Sequence, residues 1–224
     1  MLSLVVFKIT NNMISGETFN SDYPNKKVIK LTVENDYYND FQYKEGLNEL
    51  NQSFNEWKIC GPGGLYCCFI EDFSQWLEYN DKVMTNVWDV TIPDDAKVVV
   101  MDDKIKVNKF ILSNARFLQD DLTLNEKAVE QNGLALRFVR HKDRTENICL
   151  KAVKQNGMAL EYVLWAQKTH LVCRTAVEQN GDALQFVPCR SLDMCKVAVK
   201  QNGLAIRHVP LEFRTCAYVF DLSE

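Results

Sequence analysis

Few residues in this chain have the types and spacing that chemistry needs. The densest group is Gly61-Pro62-Gly63-Gly64 running into Leu65-Tyr66-Cys67-Cys68. A glycine-rich loop before an apolar strand can cradle a phosphate. A P-loop, however, needs Gly-x-x-x-x-Gly-Lys-Ser/Thr, and a dinucleotide loop needs Gly-x-Gly-x-x-Gly opening a helix; neither is present. Cys60, Cys67 and Cys68 have no histidine near them in sequence, and no Cys-x-x-Cys spacing occurs. They read as buried free thiols, not metal ligands. His141, His170 and His208 share no ligand spacing and have no nucleophile beside them in sequence. The expectation is therefore no cofactor and no metal, with residues 61–64 forming a turn and Tyr66 a core aromatic.

Charge offers a second kind of site. Glu130, Lys154, Glu178 and Lys200 occupy one position of a repeated segment, and Arg137, Glu161, Gln185 and Arg207 another. Signs alternate along the first row. The row reads as inter-repeat ion pairs on a solvated face, each contributing about 0–1 kcal/mol; a mixed-charge surface for a protein partner is the sharper alternative.

These residues sit on a repeat that organises the second half. Copies of Ala-Val-x-Gln-Asn-Gly-x-Ala-Leu begin at Ala128, Ala152, Ala176 and Ala198, spaced 24, 24 and 22 residues apart. Fixed-period self-similarity is the signature of a stacked architecture. Each copy reads as a helix ending at Gln-Asn-Gly, then a second short helix. Thr123 and Glu126 form a capping box at the first. Gly133, Gly157, Gly181 and Gly203 stand where a helix C-terminus calls for a left-handed residue. The constant alanines, valines and leucines face inward; the position filled by Leu134, Met158, Asp182 and Leu204 tolerates an acid and is at least partly exposed. Cys149, Cys173 and Cys195 recur as small core residues, and Cys216 suggests a truncated fifth copy.

The first half reads as strands. Residues 28–33, 65–70 and 87–92 are β-branched or apolar runs between turn signals. Residues 97–101 and 105–108 read as a hairpin across Asp102-Asp103. Phe73, Trp76 and Leu77 form one stripe of a short helix. The expected division is 1–118, β-rich, and 119–224, four to five helical repeats, with an exposed joint at 113–122: an α+β chain with a short α-solenoid.

Net charge is −4 over 224 residues, which excludes a general basic field for nucleic acid or anionic membrane. The N-terminus lacks the basic region of a signal peptide. Eight cysteines then fit a reducing, intracellular setting. The expected state is a monomer or small homo-oligomer binding protein, not nucleic acid or membrane.

Two resemblances add to this. Phe41-x-Tyr43-x-x-Gly46-Leu47-Asn48, residues 61–66, and Trp88-x-Val90-x-Ile92-Pro93 resemble an N-terminal region of uncharacterised proteins of mimivirus-like giant viruses. The Ala-Val-x-Gln-Asn-Gly repeat resembles a helical repeat of unknown function in bacteria, protists and giant viruses. Together they imply a non-enzymatic interaction protein, acting in host cytoplasm or virion, or alternatively a virion structural component. The order Gly46-Leu47, glycine-rich loop, Leu65-Tyr66, short helix is also similar to ADP-ribosyltransferases of the poly-ADP-ribose polymerase type. That resemblance would place Tyr66 on nicotinamide, with Gly63 and Gly64 beside it. The family also needs a histidine, or in related toxins an arginine, on an early strand. Residues 1–115 contain neither, so this resemblance implies a degenerate site.

Overall fold

The computed structural model describes residues 12–38, 41–57 and 63–214. Cys60, Gly61, Pro62 and the candidate fifth copy at Cys216 lie outside the described residues. The chain forms two compact units, Met1–Leu118 and Gln119–Glu224. The whole is α+β: a large antiparallel sheet in the first unit and helices in the second.

In the first unit, β1 (Ile14–Ser15) passes into α1 (Gly16–Asp22), capped by the Ser15 hydroxyl, which accepts from the Thr18 amide at 3.1 Å. β2 (Val28–Thr32) follows, then a small hairpin of β3 (Tyr37–Tyr38) and β4 (Phe41–Gln42), then β5 (Gly46–Glu49) and β6 (Leu65–Phe69). β7 (Glu78–Tyr79) and β8 (Lys82–Val83) form a second small hairpin. β9 (Asn86–Thr91), β10 (Lys97–Val100), β11 (Ile105–Val107) and β12 (Lys109–Phe117) complete the unit. Eight strands make one sheet in the order β1-β10-β11-β6-β2-β9-β12-β5. β2 lies inside the sheet, so all five of its residues are buried, Lys30 among them under the Tyr43 ring at 4.6 Å. The core gathers Phe19, Leu65, Trp88, Ile105 and Phe110.

The hairpin across Asp102-Asp103 forms, with Val98 opposite Val107. The helix expected around Phe73 does not extend. One 3-10 turn, Phe73–Trp76, has no side-chain cap, and the chain reverses at Asn80 and Asp81, both at positive φ (50° and 59°). Two consecutive left-handed residues make a tight hairpin turn, which competes with a helix too short to offset its own nucleation. Residues 113–117 belong to β12, and Leu118–Asp120 form a 3-10 turn.

The second unit repeats one device. α2 (Leu122–Gln131), α3 (Glu146–Gln155), α4 (His170–Gln179) and α5 (Leu192–Gln201) are each followed by a six-residue 3-10 helix: Gly133–Phe138, Gly157–Tyr162, Gly181–Phe186 and Gly203–His208. The second helix of each repeat is thus 3-10. A short α6 (Leu211–Arg214) ends the described residues. Asp121, not Thr123, caps α2: its carboxylate accepts from the Leu124 amide at 3.0 Å, so the helix opens before Thr123.

The glycines correct a sequence expectation. Among the described glycines only Gly46 and Gly63 have positive φ. The turn is made instead by the asparagine before each glycine, which is extended. Asn156 ends α3 through its amide bond to Ala152 O and caps the 3-10 helix by accepting from the Met158 amide at 3.0 Å. The glycine is needed for close approach: a Cβ on Gly133, Gly157 or Gly181 would lie 2.3, 2.3 or 2.5 Å from the carbonyl oxygen of Ala152, Ala176 or Ala198 in the next repeat.

Candidate functional site

The glycine-rich loop ends on a buried lysine. Tyr66 on β6 lies opposite Lys106 on β11. Lys106 is fully buried; its ammonium donates to the Asn55 carbonyl and stands 5.6 Å from the Tyr66 ring centroid and 5.7 Å from that of Phe54. A carbonyl and two ring faces offset its desolvation. Gly63 takes φ +95°, and its carbonyl accepts from the Asn55 amide at 2.8 Å. Gly64 is glycine because a Cβ there would meet Lys106 Cε at 2.1 Å. The described part of the loop therefore closes over a lysine stem. A cation, not an acid, stands beside Tyr66.

The thiols are quiet. Burial pushes Cys68 up to about 12 and Cys149 up to about 11, against the thiolate that reactivity requires. Cys149, Cys173 and Cys195 point at the carbonyls of Arg144, Lys168 and Arg190 (3.8, 3.6 and 4.0 Å). Among the described residues no three His, Cys, Asp or Glu side chains are grouped to hold a metal. His141 and His170 are exposed, while His208 is half-buried.

On the repeats, Glu130, Lys154, Glu178 and Lys200 are all exposed, as are Arg137, Glu161 and Arg207. The expected ladder of ion pairs along the first row does not form. Glu130 pairs with Lys151 (2.8 Å), which also reaches Glu126 (3.1 Å). Glu178 pairs with Arg174 of its own helix at 2.8 Å. Among the described residues Lys154, Lys200 and Glu161 have no ion-pair partner. On an α-helix the successive row members are a whole repeat apart, and nearer charges intercept them. Arg137 covers the Phe138 ring at 4.5 Å, and Arg207 reaches Asp182 at 3.1 Å.

Sequence reasoning missed the groups that tie repeats together. Arg144 donates to Val139 O (2.8 Å) and Arg137 O (3.2 Å) of its own repeat and to Tyr162 O (2.6 Å) of the next. Lys168 reaches Phe186 O (3.0 Å), and Arg190 reaches Leu184 O, Gln185 O and His208 O (3.0, 2.8 and 3.2 Å). Burial holds Arg144 and Lys168 below their ordinary values. A signal existed: a basic residue immediately precedes each capping hydroxyl, as Arg144-Thr145, Lys168-Thr169 and Arg190-Ser191.

One family model falls on the repeats. The model of the Domain of unknown function (DUF4116) matches residues 121–164 and 171–214. An uncharacterized protein of Acanthamoeba polyphaga mimivirus is 31% identical over 100 residues, an alignment taking in 42% of this chain and 70% of that relative. No solved structure matches the chain. The chain therefore belongs to the same family as this uncharacterized mimivirus protein, with DUF4116 repeats in its second unit.

Proposed function

We propose that this chain is a non-enzymatic interaction protein whose helical repeats display a mixed-charge surface to a protein partner. The observation that carries the reading is the contrast between the two sides of each repeat. Ala152, Val153, Ala159 and Leu160 are wholly buried, and so are Ala176, Val177, Ala183 and Leu184 at the same places. Outward, the sign of the charge changes from copy to copy, and exposed Lys154, Lys200 and Glu161 have no ion pair among the described residues. A constant interior with a variable, unneutralised exterior suits recognition by a repeat array. Among the described residues no helix is long and apolar enough to cross a membrane. The mimivirus relative points to host cytoplasm or virion as the place of action.

The test is affinity capture from host-cell lysate with the full chain and with Lys154→Glu/Lys200→Glu. We expect a defined protein retained by the first and lost by the second at unchanged thermal stability. Identical capture by both, or none by either, would remove the reading.

A further inference from the structure

The sheet of the first unit ends on β5, which has a single neighbour, β12. Leu50, just beyond β5, donates its amide to Asn108 O at 2.9 Å, and Glu49 lies opposite Lys109. Bonded and non-bonded pairs alternate in an antiparallel ladder. The main-chain groups of Asn48 therefore turn toward β12, and those of Leu47 and Glu49 turn outward. No hydrogen bond joins these outward groups to any described residue. An unpaired row of this kind is a template for one more strand.

The side chains beside the row say what that strand carries. Leu47 is half exposed (50%) and Glu49 is exposed, and both lie on one face; Asn48 is buried on the other, bonded to the carbonyls of Lys44 (2.7 Å) and Gly46 (2.9 Å). Glu49 has no ion pair among the described residues, and Lys109 across the ladder is held by Asp95 at 2.5 Å. Glu45, also exposed, precedes the strand. A hollow of about 410 Å³ opens alongside, lined by Leu47 and Glu49 themselves together with Phe41, Gln42, Lys44 and Asn51.

We infer that the β5 edge binds an extended peptide of another protein by strand addition, one in which basic residues bracket an apolar residue at alternate positions. The outward amides and carbonyls of Leu47 and Glu49 bond the peptide main chain. Leu47 meets the apolar side chain and Glu49 and Glu45 the basic ones, and the hollow that Leu47 and Glu49 help to line gives these side chains room. A second copy of this chain fits poorly. Pairing Leu47 with its counterpart sets Glu49 against Glu45, and centring on Glu49 sets two Glu49 carboxylates face to face; the register between them, centred on Asn48, sets the apolar Leu47 against the Glu49 carboxylate. Directly opposed like charges destabilise a ladder. This site is separate from the repeat surface, so either can fail alone.

A random peptide library displayed on phage and panned on the full chain is the probe. Enriched peptides should show the basic–x–apolar–x–basic pattern. Leu47→Pro removes one outward donor while leaving the pairing to β12; it should weaken those peptides by about fivefold to tenfold, the worth of one net hydrogen bond. Glu49→Lys, a surface change that keeps the fold, should reverse the preference toward peptides with acids at the same places. No enrichment, or enriched peptides indifferent to both variants, would overturn the inference. So would self-association of the wild type in sedimentation that Leu47→Pro abolishes, which would make the occupant a second copy.

Discussion

The backbone amide of Gly157 donates to the side-chain oxygen of Gln179, one repeat further on, at 2.6 Å. Gly133 is joined to Gln155 (2.6 Å) and Gly181 to Gln201 (2.5 Å) in the same way. Each bond is made where no β-carbon fits. At Gly203 no atom of a described residue lies within 4 Å of a Cβ. Gly157→Val should therefore destabilise by about 1–3 kcal/mol or more through overpacking against Ala176 O, whereas Gly203→Ala should be neutral or slightly stabilising. Equal losses in thermal melts would show that backbone conformation, not the neighbouring repeat, demands the glycine.

Met158 and Asp182 occupy equivalent places in unlike surroundings. Asp182 accepts from Asn202 Nδ2 at 3.3 Å and pairs with Arg207. Beside Met158 the place of Arg207 is held by Gln185. The sequence suggests that Met158→Asp is tolerated because Asp182 is; the missing arginine revises this. We expect Met158→Asp to cost about 1–3 kcal/mol as a half-buried polar group without its partner, and Gln185→Arg to recover part of that loss. Urea titrations of the single and double variants measure both.

His208 stands between two repeats, with Nε2 3.0 Å from Arg207 Nε and 3.6 Å from Asp182 Oδ1. Burial and then the Arg207 charge hold its imidazole below the ordinary value, with Arg190 adding to them and Asp182 opposing. The folded state thus binds this proton less readily than the unfolded chain. The contribution is fully present above the unfolded value near pH 6.5 and is lost as pH falls from there through the lower folded value. His208→Phe should flatten part of the fall in melting temperature between about pH 7.5 and pH 5.5. An unchanged profile would show that Asp182 cancels the effect.

Gly64 and Lys106 should be energetically coupled. Gly64→Ala drives a methyl into the lysine stem and should cost about 1–3 kcal/mol. In a Lys106→Ala background most of that cost should vanish, and the double-mutant cycle reads the coupling. Additive losses would reopen the loop as a ligand cradle. Labelled NAD, incubated with the chain and host lysate, is expected to give no transfer that depends on Tyr66.

The repeat was legible because its signals are local. Helix ends and inward positions follow from residues a few places apart, and the period from their recurrence. The conformation of Gly157 was misread because left-handed glycine is the common helix ending. The contact that demands a glycine there comes from Ala176, which only stacking brings near. The ion-pair row failed for a related reason: sequence alignment shows which charges are equivalent, not that Lys151 and Arg174 intercept Glu130 and Glu178. In the first unit the strands at Val28, Leu65 and Val87 could be read from β-branched runs. The sheet order could not, nor could the burial of Lys106, since a lysine in a strand ordinarily marks a solvated face. Neither β5 nor its free edge has a sequence signal, because an edge is defined by which neighbour is missing.

The basic clamps have a consequence for how such a protein changes over generations. Arg144, Lys168 and Arg190 grip carbonyl groups, which every residue has, and not particular side chains. A junction sealed in this way accepts whichever copy comes next. The third spacing, 22 residues where the others are 24, shows the tolerance: the connection is shorter, yet Arg190 still reaches the following copy at His208 O. Duplication or loss of a whole unit in the gene would leave each remaining seam intact. The length of the array can thus drift freely, while the outward residues of each unit are free to diverge for whatever they meet.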